Sequence, residues 1–209
     1  MNVFLSVSMK IEVFVFTIAL TVVVTAEKVN TRLPFEGINT LSENANRRKT
    51  ARDDENSGKC GDLSWVFNNE TSTLTIAGQG LMSCCTSSST PWSHFSNQVQ
   101  KIEIQEGVSS IGEYAFKDFT TLKTITMASN ITSIGAYAFQ DCKNLSSINI
   151  PSSVTSIGSY AFYGCESLAS ITIPSGVTSI NDYAFNGCIS LKSVNITSNI
   201  TSIGSNAFF

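Results

Sequence analysis

The stretch that decides the fold is residues 168 to 190, which read LASITIPSGVTSINDYAFNGCIS. The same pattern recurs every 23 residues from Ile102 to Phe209. Two apolar columns keep this period: Ile111, Ile134, Ile157, Ile180 and Ile203, and Phe116, Phe139, Phe162, Phe185 and Phe208. A fixed period of this length indicates one supersecondary unit stacked on itself. The sequence therefore predicts a solenoid over residues 101–209, with four full coils and one partial coil.

Each coil is predicted to contain a longer strand, a shorter strand and a helical turn. The segment Ser170–Ile173 alternates polar and apolar residues, so its two isoleucines face inward. Equivalent strands of successive coils pair in parallel about 4.8 Å apart and form a β-sheet on one face. Because Val177 and Ile180 are three residues apart, the chain must turn into a short strand on the other face. A helical turn containing Ala184 and Phe185 then completes the coil.

One position of the coil favours glycine. It holds Gly112, Gly135, Gly158 and Gly204, and Asn181 in the remaining repeat. This phase predicts a backbone position that benefits from the missing Cβ. Asparagine is the residue next most tolerant of a positive φ, so Asn181 fits the same interpretation.

Residues 58–100 precede the array and follow another pattern. Leu63, Trp65 and Phe67 alternate with polar residues, as do Leu74 and Ile76, with a polar segment between the two runs. Two alternating runs about a polar turn predict a β-hairpin. Because the first coil of a solenoid leaves its apolar interior open to water, a terminal cap is required. We therefore expect residues 58–100 to be a small β-hairpin N-terminal cap.

The first 57 residues contain two further segments. Residues 11–26 are almost wholly apolar and end in Val24, Thr25 and Ala26, a small-residue pattern typical of signal-peptide cleavage. We interpret residues 1–26 as a signal peptide; an uncleaved anchor is the alternative, although a membrane span needs roughly 20 apolar residues. Residues 27–57 are polar and charged, as in a disordered linker. We expect the mature chain to be secreted or held peripherally at the cell surface, without stable membrane insertion.

The composition argues against a nucleic-acid partner. The net charge is -3 and charged residues make up 14% of the chain, against roughly 25% in an average soluble protein. Nucleic-acid binders carry clustered lysines and arginines that neutralise phosphates. The array contains no such cluster, so the partner is expected to be a protein or a glycan.

Export would make two kinds of modification possible. Disulfides form in oxidising compartments, and Cys60 is a candidate to pair with Cys84 or Cys85. The cysteines that keep the repeat period, Cys142, Cys165 and Cys188, are better read as buried free thiols than as disulfides, because the first coil has Phe119 in their place. Candidate glycosylation sites are the sequon asparagines Asn69, Asn130, Asn144, Asn195 and Asn199.

The repeat resembles the BspA-like leucine-rich repeats. The residues that carry the resemblance are the pattern from Leu168 to Cys188, and the preceding segment from Cys60 to Trp92 also looks like one found before those repeats. The resemblance implies a leucine-rich-repeat solenoid. It also implies a secreted or surface protein of a bacterium or a parasitic protist, in a family where several members are adhesins for host matrix proteins or other cells.

Two surfaces are candidates for binding. The middle positions of the longer strands face outward on the main sheet and form a candidate binding face: Glu103, Thr126, Asn149, Thr172 and Asn195. A candidate aromatic ladder also keeps the period: Tyr114, Tyr137, Tyr160 and Tyr183. Tyrosine suits interfaces, so the ladder is either a protein or carbohydrate platform or a purely structural stack.

No constellation indicates an enzyme, a cofactor or a metal site. His94 is the only histidine, and no nucleophile motif surrounds it. The cysteine spacings do not match a zinc site. We therefore expect a non-enzymatic extracellular binding or adhesion module. The alternative is a truncated or self-associating structural repeat fragment of a longer surface protein, which would associate through its C-terminal coil.

We predict that signal peptidase cleaves after Ala26 when the chain is expressed in a secreting cell. N-terminal sequencing of the exported protein should begin at Glu27. Material that retains Met1 or Met9 as its first residue would contradict the assignment.

Overall fold

The structure is a computed structural model that describes residues 55–85, 89–197 and 199–209. The signal-peptide assignment and most of the proposed linker lie outside these residues. Within the described part, the 23-residue period forms a β-solenoid, which confirms the predicted fold class. No helix in this part is long and apolar enough to cross a membrane.

The N-terminal cap is a three-stranded antiparallel unit that continues into the solenoid. Its strands are β1 (Ser57–Cys60), β2 (Leu63–Asn68) and β3 (Thr73–Gly78). The expected hairpin corresponds to β2 and β3, whereas β1 is an additional strand that begins inside the proposed linker. β3 pairs in parallel with the first strand of the array, β4 (Lys101–Ile104), so the cap extends the main sheet.

The main sheet is divided into two parts. β4 pairs with β6 (Thr124–Thr126), and β9 (Ser170–Ile173) pairs with β11 (Ser193–Ile196), all in parallel. Residues 147–150, which occupy the equivalent position in the intervening coil, form no strand. Ile148 and Ile150 are nevertheless buried. The inward-facing pattern therefore continues where the ladder of backbone hydrogen bonds does not.

The short strands also stack in two groups. β5 (Ser110–Ile111), β7 (Ser133–Ile134) and β8 (Ser156–Ile157) form one sheet. β10 (Ser179–Ile180) and β12 (Ser202–Ile203) form the other. The interruption between β8 and β10 lies next to Asn181, the residue that replaces glycine.

Close approach of the backbone explains why this position favours glycine. A Cβ added to Gly135 would lie 2.6 Å from the Glu113 backbone nitrogen of the preceding coil. Neither the glycines of this column nor Asn181 has a positive φ, so the expected conformational reason is wrong. The Gly135 amide donates to the Ile111 carbonyl at 3.0 Å. At Asn181 the side-chain Nδ2 donates to the Ile157 carbonyl at 2.6 Å instead.

The segment after each short strand is a series of turns and not the expected helical turn. Tyr114, at its start, has a φ of 56°, and its three counterparts in the column also have positive φ. A left-handed residue cannot continue a right-handed helix. The amides of Tyr114, Phe116 and Asp118 instead donate to carbonyls of the next coil, at 2.8 to 3.0 Å. These turns therefore add a third set of hydrogen bonds between coils.

The core is a stack of aromatic rings that begins in the cap. Trp92 is buried, its ring centre lies 5.9 Å from that of Phe116, and its Nε1 donates to the Ala115 carbonyl at 2.7 Å. The phenylalanine column then continues with ring centres 5.3 to 5.5 Å apart. Trp65 packs edge-on against Trp92. The cap thus covers the first end of the column with two tryptophans.

We predict that Phe162→Ala lowers the free energy of unfolding by roughly 3–5 kcal/mol, because Phe162 is fully buried between two stacked neighbours. Denaturant melts of the exported protein measure the change. Phe208→Ala is the matched control, because Phe208 belongs to the same column but is 43% exposed. A loss below about 1 kcal/mol for Phe162→Ala would contradict the assignment of the column to the core.

Candidate functional site

The candidate binding face is formed by outward-pointing side chains of the longer strands. Thr126, Asn149, Thr172 and Asn195 are exposed, whereas Glu103 is half-buried. Glu103 also forms an ion pair with Lys101, whose Nζ lies 2.6 Å from its Oε1. The face is therefore charged at the cap end and uncharged over the four following coils.

A second column of polar residues lies beside the first on the same strands. Ser147, Ser170 and Ser193 occupy it in the last three coils and are exposed. Along a strand, residues two apart on one face are separated by roughly 6.6 Å, and equivalent residues of adjacent coils by about 4.8 Å. The two columns thus form a regular lattice of hydroxyl and amide groups.

None of the seven uncharged side chains in this lattice forms a hydrogen bond with another described residue. Three of the four threonines in another column, formed by Thr132, Thr155, Thr178 and Thr201, behave differently. The Oγ1 atoms of Thr132, Thr155 and Thr201 donate to carbonyls of the preceding coil at 3.0, 3.3 and 3.0 Å. Those hydroxyls hold the coils together, whereas the hydroxyls and amides of the lattice remain available to a partner. The 23-residue period of the sequence reveals the threonine column, but it does not reveal the hydrogen bonds that these hydroxyls form.

The tyrosine ladder is a stack of half-buried rings. Adjacent ring centres lie 4.7, 4.8 and 4.7 Å apart, with interplanar angles of 3°, 11° and 7°. Each inner ring therefore has a neighbour against both faces, and the ring edges and hydroxyls remain for solvent. A sugar stacks on the face of an aromatic ring, so the inner rings do not offer a carbohydrate platform in this arrangement.

The middle of the ladder has a perturbed phenol. Partial burial raises the pKa of Tyr160, and the neighbouring phenols of Tyr183 and Tyr137 and the Asp182 carboxylate raise it further. Tyr163 contributes a fifth ring, tilted by 46° against Tyr160 with a centre distance of 5.7 Å. The phenol at this point therefore stays protonated at neutral pH.

The cysteines fall into two groups. Cys60 and Cys84 form a disulfide within the cap, and Cys85 is a half-buried free thiol. The repeat cysteines Cys142, Cys165 and Cys188 are buried free thiols. Each of these three donates to a phenylalanine carbonyl at 3.2 Å. Burial raises the pKa of Cys188 to about 12 and also raises that of Cys142 and Cys165, so the thiols remain protonated and unreactive at neutral pH.

The five sequon asparagines differ in their surroundings. Asn69, Asn195 and Asn199 are exposed, and their side chains have no hydrogen bond with a described residue. The exposed Asn144 donates its amide to the Thr120 carbonyl at 2.7 Å. Asn130 is half-buried, and its Oδ1 is buried without a partner in the described part of the chain.

His94 lies in the cap, outside the lattice. It follows Trp92 in the 3-10 turn Ser93–Phe95 and is exposed. Its ring centre is 3.9 Å from that of Phe95 and 6.3 Å from that of Trp65. Among the described residues, no group of three or more histidine, cysteine or acidic side chains is arranged to hold a metal ion.

Solved structures that resemble this chain include bacterial leucine-rich repeat proteins. A leucine rich cell surface protein from Faecalibacterium prausnitzii is 28% identical, with a TM-score of 0.52, and the match covers 73% of this chain and 51% of that one. A leucine-rich repeat protein from Bacteroides ovatus is 29% identical, with a TM-score of 0.48, over 66% of this chain and 40% of that one. The chain therefore spans about half the length of these two proteins. No curated protein matches it.

A protein-family model accounts for the repeats themselves. The BspA type leucine rich repeat region matches residues 92–209 in six copies. The first of these residues is Trp92, which heads the aromatic stack although it precedes the first coil recognised from the sequence. The match extends over more than half of the chain, and the resemblance inferred from the residues is confirmed. The protein belongs to the BspA-type leucine-rich repeat family.

Proposed function

We propose that the protein is a binding or adhesion module of the cell surface or the extracellular space, and that the polar lattice contacts a protein partner. The observation that carries the proposal is the free hydrogen-bonding capacity of the lattice. Seven uncharged polar side chains on three strands and residues 147–149 are exposed and have no partner within the described chain. The cell-surface description of the Faecalibacterium prausnitzii protein supports the location.

The chemistry of the lattice indicates what kind of contact it makes. It lacks the tryptophan, tyrosine and arginine anchors that dominate tight protein interfaces. Its groups recur at a fixed spacing, so a partner with a repeated or extended surface can engage several coils together. Simultaneous weak contacts raise the apparent affinity without any single strong one. We therefore propose multivalent adhesion to host matrix or cell-surface proteins, with a glycan ligand as the alternative.

The test compares two charge-matched variants on a panel of immobilised extracellular-matrix proteins and on a glycan array. Asn149→Lys with Thr172→Lys changes the lattice in two neighbouring coils. Ser152→Lys with Ser175→Lys adds the same charge to exposed turn residues of the same coils. We expect the lattice variant to lose at least about tenfold in apparent affinity, equivalent to 1.4 kcal/mol, and the turn variant to bind like the parent. Equal binding by both variants, or no binding by the parent, would refute the proposal.

A second candidate function is self-association, favoured by the apolar surface of the last described coil. Ile189 is 81% exposed and Phe209 is 89% exposed. They border an opening of about 340 Å³ that Phe185, Leu191 and Phe208 also line. Exposed apolar patches of this kind mark contact surfaces. The proposal is that two chains of these 209 residues associate through this coil.

Sedimentation velocity of unglycosylated protein tests self-association. We expect the parent to form a concentration-dependent dimer and Ile189→Ser with Phe209→Ser to remain monomeric. Val66→Ser with Leu81→Ser is the control, because it removes two exposed apolar side chains from the cap. A parent that stays monomeric at high micromolar concentration excludes this candidate and leaves the adhesion proposal unaffected.

A further inference from the structure

All five tyrosines of the chain lie in one cluster. Four form the ladder, and Tyr163 packs against Tyr160. The ladder positions are fixed by the backbone, because the amide of each ladder tyrosine donates to the next coil at 2.9 to 3.0 Å. Neighbouring phenols are therefore held beside one another at the coil spacing, with their edges half-exposed.

We propose that the tyrosine ladder is a site of oxidative cross-linking, in which adjacent phenols join as dityrosine under a one-electron oxidant of the peroxidase class. Each of two neighbouring tyrosines loses one electron and one proton. The two phenoxyl radicals form a carbon–carbon bond between their ortho carbons. The two ring hydrogens then move to the phenol oxygens, which restores both aromatic rings. The electrons and protons reduce one hydrogen peroxide to two waters.

The geometry favours coupling within one molecule. A phenoxyl radical at Tyr137 finds another phenol 4.7 Å away on one face and 4.8 Å away on the other, measured between ring centres. Holding two reactants together in this way converts a bimolecular step into an effectively unimolecular one. The rings must tilt for the ortho carbons to meet, and their half-exposed edges leave room for that movement.

The free thiols do not compete for the oxidant at neutral pH. Hydrogen peroxide reacts with the thiolate and not with the thiol. Burial raises the pKa of Cys85 and of Cys188 to about 12. The remaining two repeat thiols are buried deeper in the core. The phenol edges are thus more accessible than the repeat thiols.

The consequence of coupling is a covalent bond between consecutive coils. A bond between Tyr137 and Tyr160 would close a loop of the repeat length. Such a bond restricts the unfolded chain, as a disulfide does. It would also act where the structure has a discontinuity, because the coils on either side of residues 147–150 lack a shared strand ladder on the main face. Cross-linking would therefore raise the denaturation midpoint of the array.

Two variants with the same composition test the proposal in the full exported chain. Tyr114→Phe, Tyr163→Phe and Tyr183→Phe leave Tyr137 and Tyr160 as adjacent phenols. Tyr137→Phe, Tyr160→Phe and Tyr163→Phe leave Tyr114 and Tyr183 at opposite ends of the ladder. Phenylalanine keeps the ring in each position, so both variants should fold, which circular dichroism checks. Each is treated with horseradish peroxidase and hydrogen peroxide at low protein concentration.

We expect the adjacent pair to give dityrosine fluorescence and a monomer that has lost two hydrogen atoms by mass spectrometry. The cross-linked peptide should contain Tyr137 and Tyr160. The separated pair should give at least tenfold less of this intramolecular product. Equal yields from the two variants would overturn the proposal, and so would a product found only as a covalent dimer in both.

Discussion

The structure depends on one constraint, which is that equivalent residues of successive coils must lie directly beside one another. Each phenylalanine of the core stacks on the next, each ladder tyrosine stacks on the next, and the repeat cysteines occupy equivalent positions. This happens because each coil repeats the same backbone path after 23 residues. Backbone hydrogen bonds on the two strand faces and along the turns enforce that path. An insertion of one residue within a coil would disturb the alignment of that coil with its neighbour, so the constant period is itself a packing requirement.

The sequence predicted the columns, because burial repeats with the period and can be read from the spacing of apolar residues. It did not predict where the ladders of hydrogen bonds are interrupted. Asn181 shows why: its amide replaces a backbone donor at the Ile157 carbonyl, and that exchange depends on how closely two coils approach. The left-handed tyrosines were also missed. A helical turn and a series of turns place Ala184 and Phe185 equally well in the core, so the apolar pattern cannot distinguish them.

The candidate site was predictable only as a set of outward positions. Alternation along the strand indicated which residues face solvent, and the four uncharged members of the predicted face are exposed. Whether their polar groups are free could not be read from spacing. Thr155 and Thr172 are both exposed threonines, yet the Thr155 hydroxyl is bonded to the preceding coil and the Thr172 hydroxyl has no partner among the described residues. That difference separates a column that holds the solenoid together from one that can bind.

The tyrosine ladder contains backbone strain, because the left-handed conformation of a bulky residue is unfavourable by about 1–2 kcal/mol. The chain accepts this conformation at four equivalent positions. Each ladder amide gains a hydrogen bond to the next coil, worth about 1 kcal/mol. Each stacked pair contributes about 0.5–1.5 kcal/mol beyond the area that it buries. The hydrogen bond and the ring stacking together offset the cost of the positive φ only when neighbouring coils share the conformation. A single left-handed tyrosine would have no ring to stack on. The ladder is therefore cooperative: contacts between successive coils offset the backbone strain, and no single coil could offset it alone.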